Sequence, residues 1–308
     1  MYFKFMQSVV AFFAAIITLI VPSNPGSPVE PTLPLTNVNP NPIAESAAEQ
    51  DLKIMTYNLK ISGDGLRTVE NRLPYIVDTI NAHTPDSFGV QEADKNWVES
   101  IAAEIPNYAY VATYRDDGVS EGESSAIFYL KEKYELVDTG HFWLSETPDV
   151  PSLGWDAACN RITSYVILKD KATGFVYAHF NTHLDHVGNV AQAESVALIS
   201  GKIAEIAPDI PVVLTGDFNF SEGSANYENV IKCGLKDTKY MTENRDDHAT
   251  YHGYHVIVPD TKPIDYVFVN GYCKAVKSSR IESDFVHHIL ASDHLPIIVE
   301  LTLFNGGK

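Results

Sequence analysis

The chain has 308 residues, 45% of them hydrophobic, which suits one large or two smaller packed domains, and it shows no internal repeat that would mark a solenoid. Its 40 acidic and 22 basic side chains give a net charge of −18 with no run of Lys or Arg. A polyanion binder usually shows a basic face, so this charge counts against long duplex DNA as the main substrate, and no stable duplex nucleic-acid partner is expected. Cys159, Cys233 and Cys273 are too few for a disulfide scaffold and do not space as a metal site, so minor, partly buried thiols are expected.

Residues 1–21 read as a signal peptide or an N-terminal membrane anchor. Lys4 precedes an apolar run from Val9 to Val21, short for a spanning helix and suited to a signal core, and residues 5–21 offer a route to membrane attachment. Seven prolines between Pro22 and Pro42 make 22–50 a disordered linker, which leaves 51–308 as the folded domain. An exported, extracellular or cell-surface protein is expected, and a monomer.

From Asp51 the pattern alternates. LKIMTYNL reads as a strand, NRLPYIVDTINAH as an amphipathic helix with Pro74 in its first turn, DSFGVQE as a strand and NWVESIAAEI as a second helix. SSAIFYLKEKYELVDTGHFWL holds two strands around a charged turn. SYVILKDKATGFVYAHFNTHLD is a hairpin turning at Lys171 to Gly174. A long helix (NVAQAESVALISGKIAEIA), a buried strand (PVVLTGDF) and the strands IDYVFVN and LPIIVELTLF follow. Hairpins mixed with strand–helix units predict an α/β fold with mixed sheets.

The chemistry gathers at strand ends, which are rigid places to hold polar groups in a cleft. MTYNL ends near Asn58, FGVQE at Glu92, FNTHLDH carries Asn181 and His183, and LTGDFNF carries Asp217 and Asn219. IDYVF brings Asp265, and SDHLP brings Asp293 and His294. Oxygen ligands with His and no Cys suit a hard divalent cation, Mg2+ or Mn2+. Alone, each cluster has an ordinary structural reading: Glu92 as a helix-start acid, GDFN as an Asx-turn, either His as a hydrogen-bonded structural residue.

Together and in this order, over residues 51–303, the six runs resemble the endonuclease/exonuclease/phosphatase superfamily of metal-dependent phosphoesterases. FWLSETPDVPSLGWDAACNRITSYVI, residues 142–167, resembles a bacterial subgroup closer to the nocturnin-type deadenylases than to pancreatic-type deoxyribonucleases. The resemblance implies a four-layer sandwich of two packed mixed β-sheets flanked by helices, with the site at one edge. It implies metal held by Asn58, Glu92 and Asp293, Asp217 as general base, His183 and His294 at the scissile phosphate, and Asp265 as the partner of His294. Asn219 is expected to donate its amide to a phosphoryl oxygen, Asn181 to touch the phosphate or leaving group, and Glu123 to orient His183. Arg161 is a candidate for gripping a second phosphate, and Trp143 and Trp155 for stacking on a base or sugar. His252 and His255 read as surface residues.

The expected activity is hydrolysis of a phosphate ester, foremost a phosphodiester in a nucleotide, a short single strand or a small molecule. A cell-surface phospholipid or phosphosugar hydrolase is the alternative, and a non-catalytic binding domain the third reading.

Overall fold

Alternation along the strands decides which side chains meet. In β1 (Glu49–Asn58), Leu52 and Ile54 enter one apolar cluster while Met55 and Tyr57 enter another, so the strand is covered on both faces. The computed structural model describes residues 47–255, 262–282 and 291–306, all within one compact unit. The signal or anchor segment 1–21 and most of the linker 22–50 lie outside the described residues. β1 begins two residues ahead of the expected boundary at Asp51, because Glu49 and Gln50 already pair with Phe304 and Leu303.

The elements that follow are α1 (Val69–His83), β2 (Ser87–Gln91), α2 (Lys95–Glu104), β3 (Tyr108–Val111), β4 (Ile127–Leu130), β5 (Tyr134–Trp143), β6 (Ile162–Asp170), β7 (Val176–His183), α3 (Asn189–Ile206), β8 (Val212–Asp217), α4 (Ala225–Lys232), β9 (Lys236–Asp237), β10 (Asp265–Val269), β11 (Cys273–Ile281) and β12 (Ile297–Phe304). Six strands form a first sheet in the order β11-β12-β1-β2-β4-β3, and six a second in the order β5-β6-β7-β8-β10-β9. Each sheet has one parallel pair at its middle, β1 with β2 and β7 with β8, and a helix makes each crossover.

Three apolar layers fix the stack. Ile54, Val213, Val267 and Val299 meet between the sheets. Ile76, Phe88, Trp97 and Ile101 join the first sheet to α1 and α2. Phe180, Val196, Ile199, Leu214 and Tyr227 join the second to α3 and α4. This is the four-layer α/β sandwich that the resemblance implied.

The charged turn between β4 and β5, at 131–133, joins strands of different sheets. Some local expectations differ. Thr68 caps α1, accepting from the Asn71 N–H, which moves the helix start back and puts Pro74 in the second turn. The short strand β3, the polar-faced β11 and the eight-residue α4 escaped the periodicity reading.

The space between the sheets changes character along the strands. Past the apolar cluster, the inward positions become Ser87, His179, Asn181 and Thr215. They form a buried chain in which Ser87 Oγ lies 2.8 Å from His179 Nδ1 and His179 Nε2 2.9 Å from Thr215 Oγ1. Thr215 Oγ1 then donates to Asn181 Oδ1 at 2.9 Å. Burial drives the His179 imidazole down to about 3, so it is neutral and fits this chain as donor on one side and acceptor on the other. One step further along, at the open end, stand Asn58, Asp217 and Asp265.

Candidate active site

Register brings the acids together. Asp217 closes β8, opposite His183 in the parallel partner β7 and opposite Asp265, the first residue of antiparallel β10. From the other sheet, the Asn58 amide donates to Asp217 Oδ2 at 2.9 Å and to Glu92 Oε1 at 3.2 Å. The segment 291–295 delivers Asp293 and His294, anchored by Ser292 Oγ on the Asn58 carbonyl at 2.7 Å. A cavity of about 460 Å³ opens here, lined by Lys60, Glu92, Arg115, Glu123, Arg161, His183, His186, Asp217, Asn219, Tyr251, Asp293 and His294.

The two histidines take opposite charge states. His294 Nδ1 lies 2.9 Å from Asp265 Oδ2, and its Nε2 lies 3.7 Å from Asp217 Oδ2. Burial pulls His294 down, but the charge and hydrogen bond of Asp265, then Asp217 and Asp293, outweigh it and raise the ring to about 10. His183 is driven well below the usual imidazole value by burial and then by Arg161 and Arg115. Asp217 is raised to about 7 by burial and by the charge of Asp265. A buried acid poised near neutrality beside an imidazolium is the arrangement a general base needs.

Two other carboxylates, Glu92 and Asp293, line the cavity, each within 4 Å of Lys60 Nζ. Glu92 sits in the left-handed region, φ 54, where a non-glycine residue is strained. The Ile61 N–H holds its Oε2 at 2.9 Å. Burial works to raise Glu92, but that N–H and the Lys60 charge leave it below the usual value. Asp293 is raised by burial, and its Oδ1 is buried without a hydrogen-bond partner. An orphaned carboxylate oxygen beside a second acid fits a hard divalent cation. Asp217, Asp265 and His294 also lie close together, but as an imidazolium His294 has no lone pair to give an ion.

Asn58 Oδ1 accepts the Lys60 N–H at 2.9 Å and keeps a second lone pair for a cation, while its amide hydrogens bridge Glu92 and Asp217. Several expected roles change. Asn219 lines the cavity, but both amide hydrogens are committed, to His183 Nε2 at 3.1 Å and the Leu184 carbonyl at 3.0 Å, so it positions His183 and has none left for a phosphoryl oxygen. Asn181 is fully buried. It donates to the Val90 and Ala126 carbonyls and accepts from Gln91 and Thr215, which makes it a clamp between the sheets and not a substrate contact.

Glu123 reaches His183 Nδ1 only at 3.9 Å, because Arg115 grips both of its oxygens at 2.7 and 2.8 Å. Trp143 is buried and donates to the Arg115 carbonyl, and Trp155 does not line the cavity. Arg161 does line it. The guanidinium meets Asp185 at 3.5 Å and His186 at 3.0 Å, and its buried Nη1 has no hydrogen-bond partner. Cys233 is exposed and His252 is fully buried, against expectation.

Lys60, Ile61, Cys159, Tyr251 and Ile264 are lining residues that sequence reasoning missed, and Arg115 and His186 are two that it left open. Lys60 had a signal in lying two residues past Asn58, and His186 in closing the FNTHLDH run.

The sequence profile of the Endonuclease/Exonuclease/phosphatase family matches residues 55–294. An endonuclease/exonuclease/phosphatase structure from Bacteroides vulgatus is 37% identical, covering 82% of this chain and 99% of its own, with a TM-score of 0.78. A mannosyl-6-phosphatase from Bacteroides thetaiotaomicron is 34% identical over 81% of this chain and 99% of its own, with a TM-score of 0.75. The human Nocturnin catalytic domain shares the fold at 17% identity, over 83% of this chain and 94% of its own, with a TM-score of 0.66. The chain therefore belongs to the endonuclease/exonuclease/phosphatase family of phosphoric ester hydrolases.

Proposed function

We propose that this protein is an exported, Mg2+- or Mn2+-dependent hydrolase of a small phosphate ester, with a phosphorylated sugar as the leading substrate class. The carrying observation is the cavity: about 460 Å³, with cations, imidazoles and carboxylates converging on it, the size of a small ligand site. Similarity to a mannosyl-6-phosphatase supports the sugar, and the acidic chain disfavours a long polyanion. This puts the phosphosugar reading ahead of the nucleotide phosphodiester expected first from the sequence. Export rests on the Val9–Val21 run.

In this reading Glu92 and Asp293 hold the cation, which when bound supplies charge for the phosphoryl oxygens and leaving group. Asp217, ionised above about pH 7, takes the proton of the attacking water. The His294 imidazolium, fixed by Asp265, stabilises negative charge developing on the phosphorus-bound oxygens. Neutral His183 is held in one orientation by the Asn219 amide. Arg161 Nη1 remains available to a second group on the substrate.

The test is phosphate release from mannose 6-phosphate, glucose 6-phosphate, a nucleoside monophosphate and bis-p-nitrophenyl phosphate, each with Mg2+ and with Mn2+. Preference for a sugar monoester supports the proposal. A clear preference for the diester or for nucleotides would return the assignment to the phosphodiesterase reading.

A further inference from the structure

Lys60 occupies a place that the reaction as described does not use. Its Nζ lies 3.6 Å from Glu92 Oε2 and 3.7 Å from Asp293 Oδ2, between the two carboxylates assigned to the cation. We propose that Lys60 is a built-in counter-ion that competes with the divalent cation for Glu92 and Asp293 and so sets the affinity of the centre. The inference rests on the reading that these two acids hold the cation.

The local structure separates a fixed base from a movable head. Lys60 has a left-handed backbone, φ 58, and its N–H is held by Asn58 Oδ1. Its carbonyl accepts from Arg72 Nη2 at 2.7 Å and Trp97 Nε1 at 3.1 Å. Arg72 is fully buried, so the peptide is pinned to the core. The side chain is 38% exposed, whereas those of Glu92 and Asp293 are 13% and 5% exposed.

Neither contact of the ammonium is short enough for a direct hydrogen bond, so it balances charge without being locked by geometry. Two acids this buried need a positive charge, and the lysine supplies one. A divalent cation on the same oxygens repels the ammonium a few ångströms away, and the flexible stem lets it leave toward solvent while the backbone stays. Cation binding thus exchanges one positive charge for another. A lysine that merely gripped substrate would not couple to the cation in this way.

The experiment uses the full-length protein and its Lys60→Met variant, which keeps stem volume and removes charge. Thermal melts are recorded in EDTA and in saturating Mg2+, Mg2+ binding is measured by calorimetry, and acylation of Lys60 is followed by mass spectrometry with and without Mg2+. The variant is expected to melt lower than the native protein in EDTA, with the gap closing in Mg2+, and to bind Mg2+ about three- to tenfold more tightly. In the native protein Lys60 becomes more reactive when Mg2+ is added, while Lys95 does not change. A melting deficit of the same size in both conditions, or weaker Mg2+ binding by the variant, overturns the proposal alone. No Mg2+- or Mn2+-dependent shift in either protein overturns the cation site itself and this proposal with it.

Discussion

Asp265 and Asp217 address opposite nitrogens of one ring: Asp265 Oδ2 lies 2.9 Å from His294 Nδ1, and Asp217 Oδ2 lies 3.7 Å from Nε2. The first contact fixes the ring and its charge, and the second places that charge beside the acid assigned to activate water. Asp265→Asn keeps the shape and removes the charge. It is expected to lower kcat by about 10²-fold or more and to move the alkaline limb of activity downward from about 10, toward the ordinary imidazole value of 6.5. An unchanged pH limb would detach Asp265 from His294.

The pH–rate profile follows from the same pair. Asp217 must lose its proton to act, so activity rises as pH passes about 7, and a bound cation moves this limb lower. His294 must keep its proton, so activity falls as pH passes about 10. The stability sign agrees for His294: its folded value is raised, so its contribution is complete below about 6.5 and is lost as pH rises through about 10. Initial rates between pH 5 and 11 and urea titrations at pH 6 and 10.5 check both statements.

Arg161 and Trp155 part company in the structure, and their variants should do the same. Arg161→Ala removes a buried, unpartnered donor from the cavity and is expected to raise KM about tenfold or more, with a smaller effect on kcat. Trp155→Ala, outside the lining, leaves both within about twofold. Steady-state kinetics on the preferred sugar phosphate decides.

Asn181 is assigned to the frame. A Cβ on Gly89 would come 2.3 Å from Asn181 Oδ1, so the glycine is what lets the clamp cross between the sheets. Gly89→Ala and Asn181→Ala should each cost about 2–3 kcal/mol in urea unfolding. Loss of turnover by Asn181→Ala at unchanged stability would put the residue back at the substrate.

The strong signals in the sequence were the strand ends. Asp217, His183 and Asp265 come together because the register sets them opposite one another at one end of β7, β8 and β10, and Glu92, Asp293 and His294 reach the same place from the segments just past β2 and just before β12. Asp217, His183, Asp265, His294, Glu92 and Asp293 were legible for this reason. The division of labour among their neighbours was not. Nothing in GDFN says that both Asn219 hydrogens turn inward, and nothing in FNTH says that Asn181 meets Val90 and Ala126 from the other sheet. Such choices belong to long-range packing. The crossing of chain between β4 and β5 was hidden likewise, because a three-residue charged link reads as a turn whichever sheet receives the next strand.

The proposed cation-dependent hydrolysis at this cavity turns on Asp217. The most direct measurement is phosphate release by the native protein and by Asp217→Asn, each in Mg2+, in Mn2+ and in EDTA, with folding checked by thermal melting. Turnover is expected in the native protein with either cation and not in EDTA, with a loss of about 10²-fold or more in the folded variant in Mg2+ and in Mn2+. Equal turnover by the two proteins, or native turnover undiminished in EDTA, would contradict the proposal.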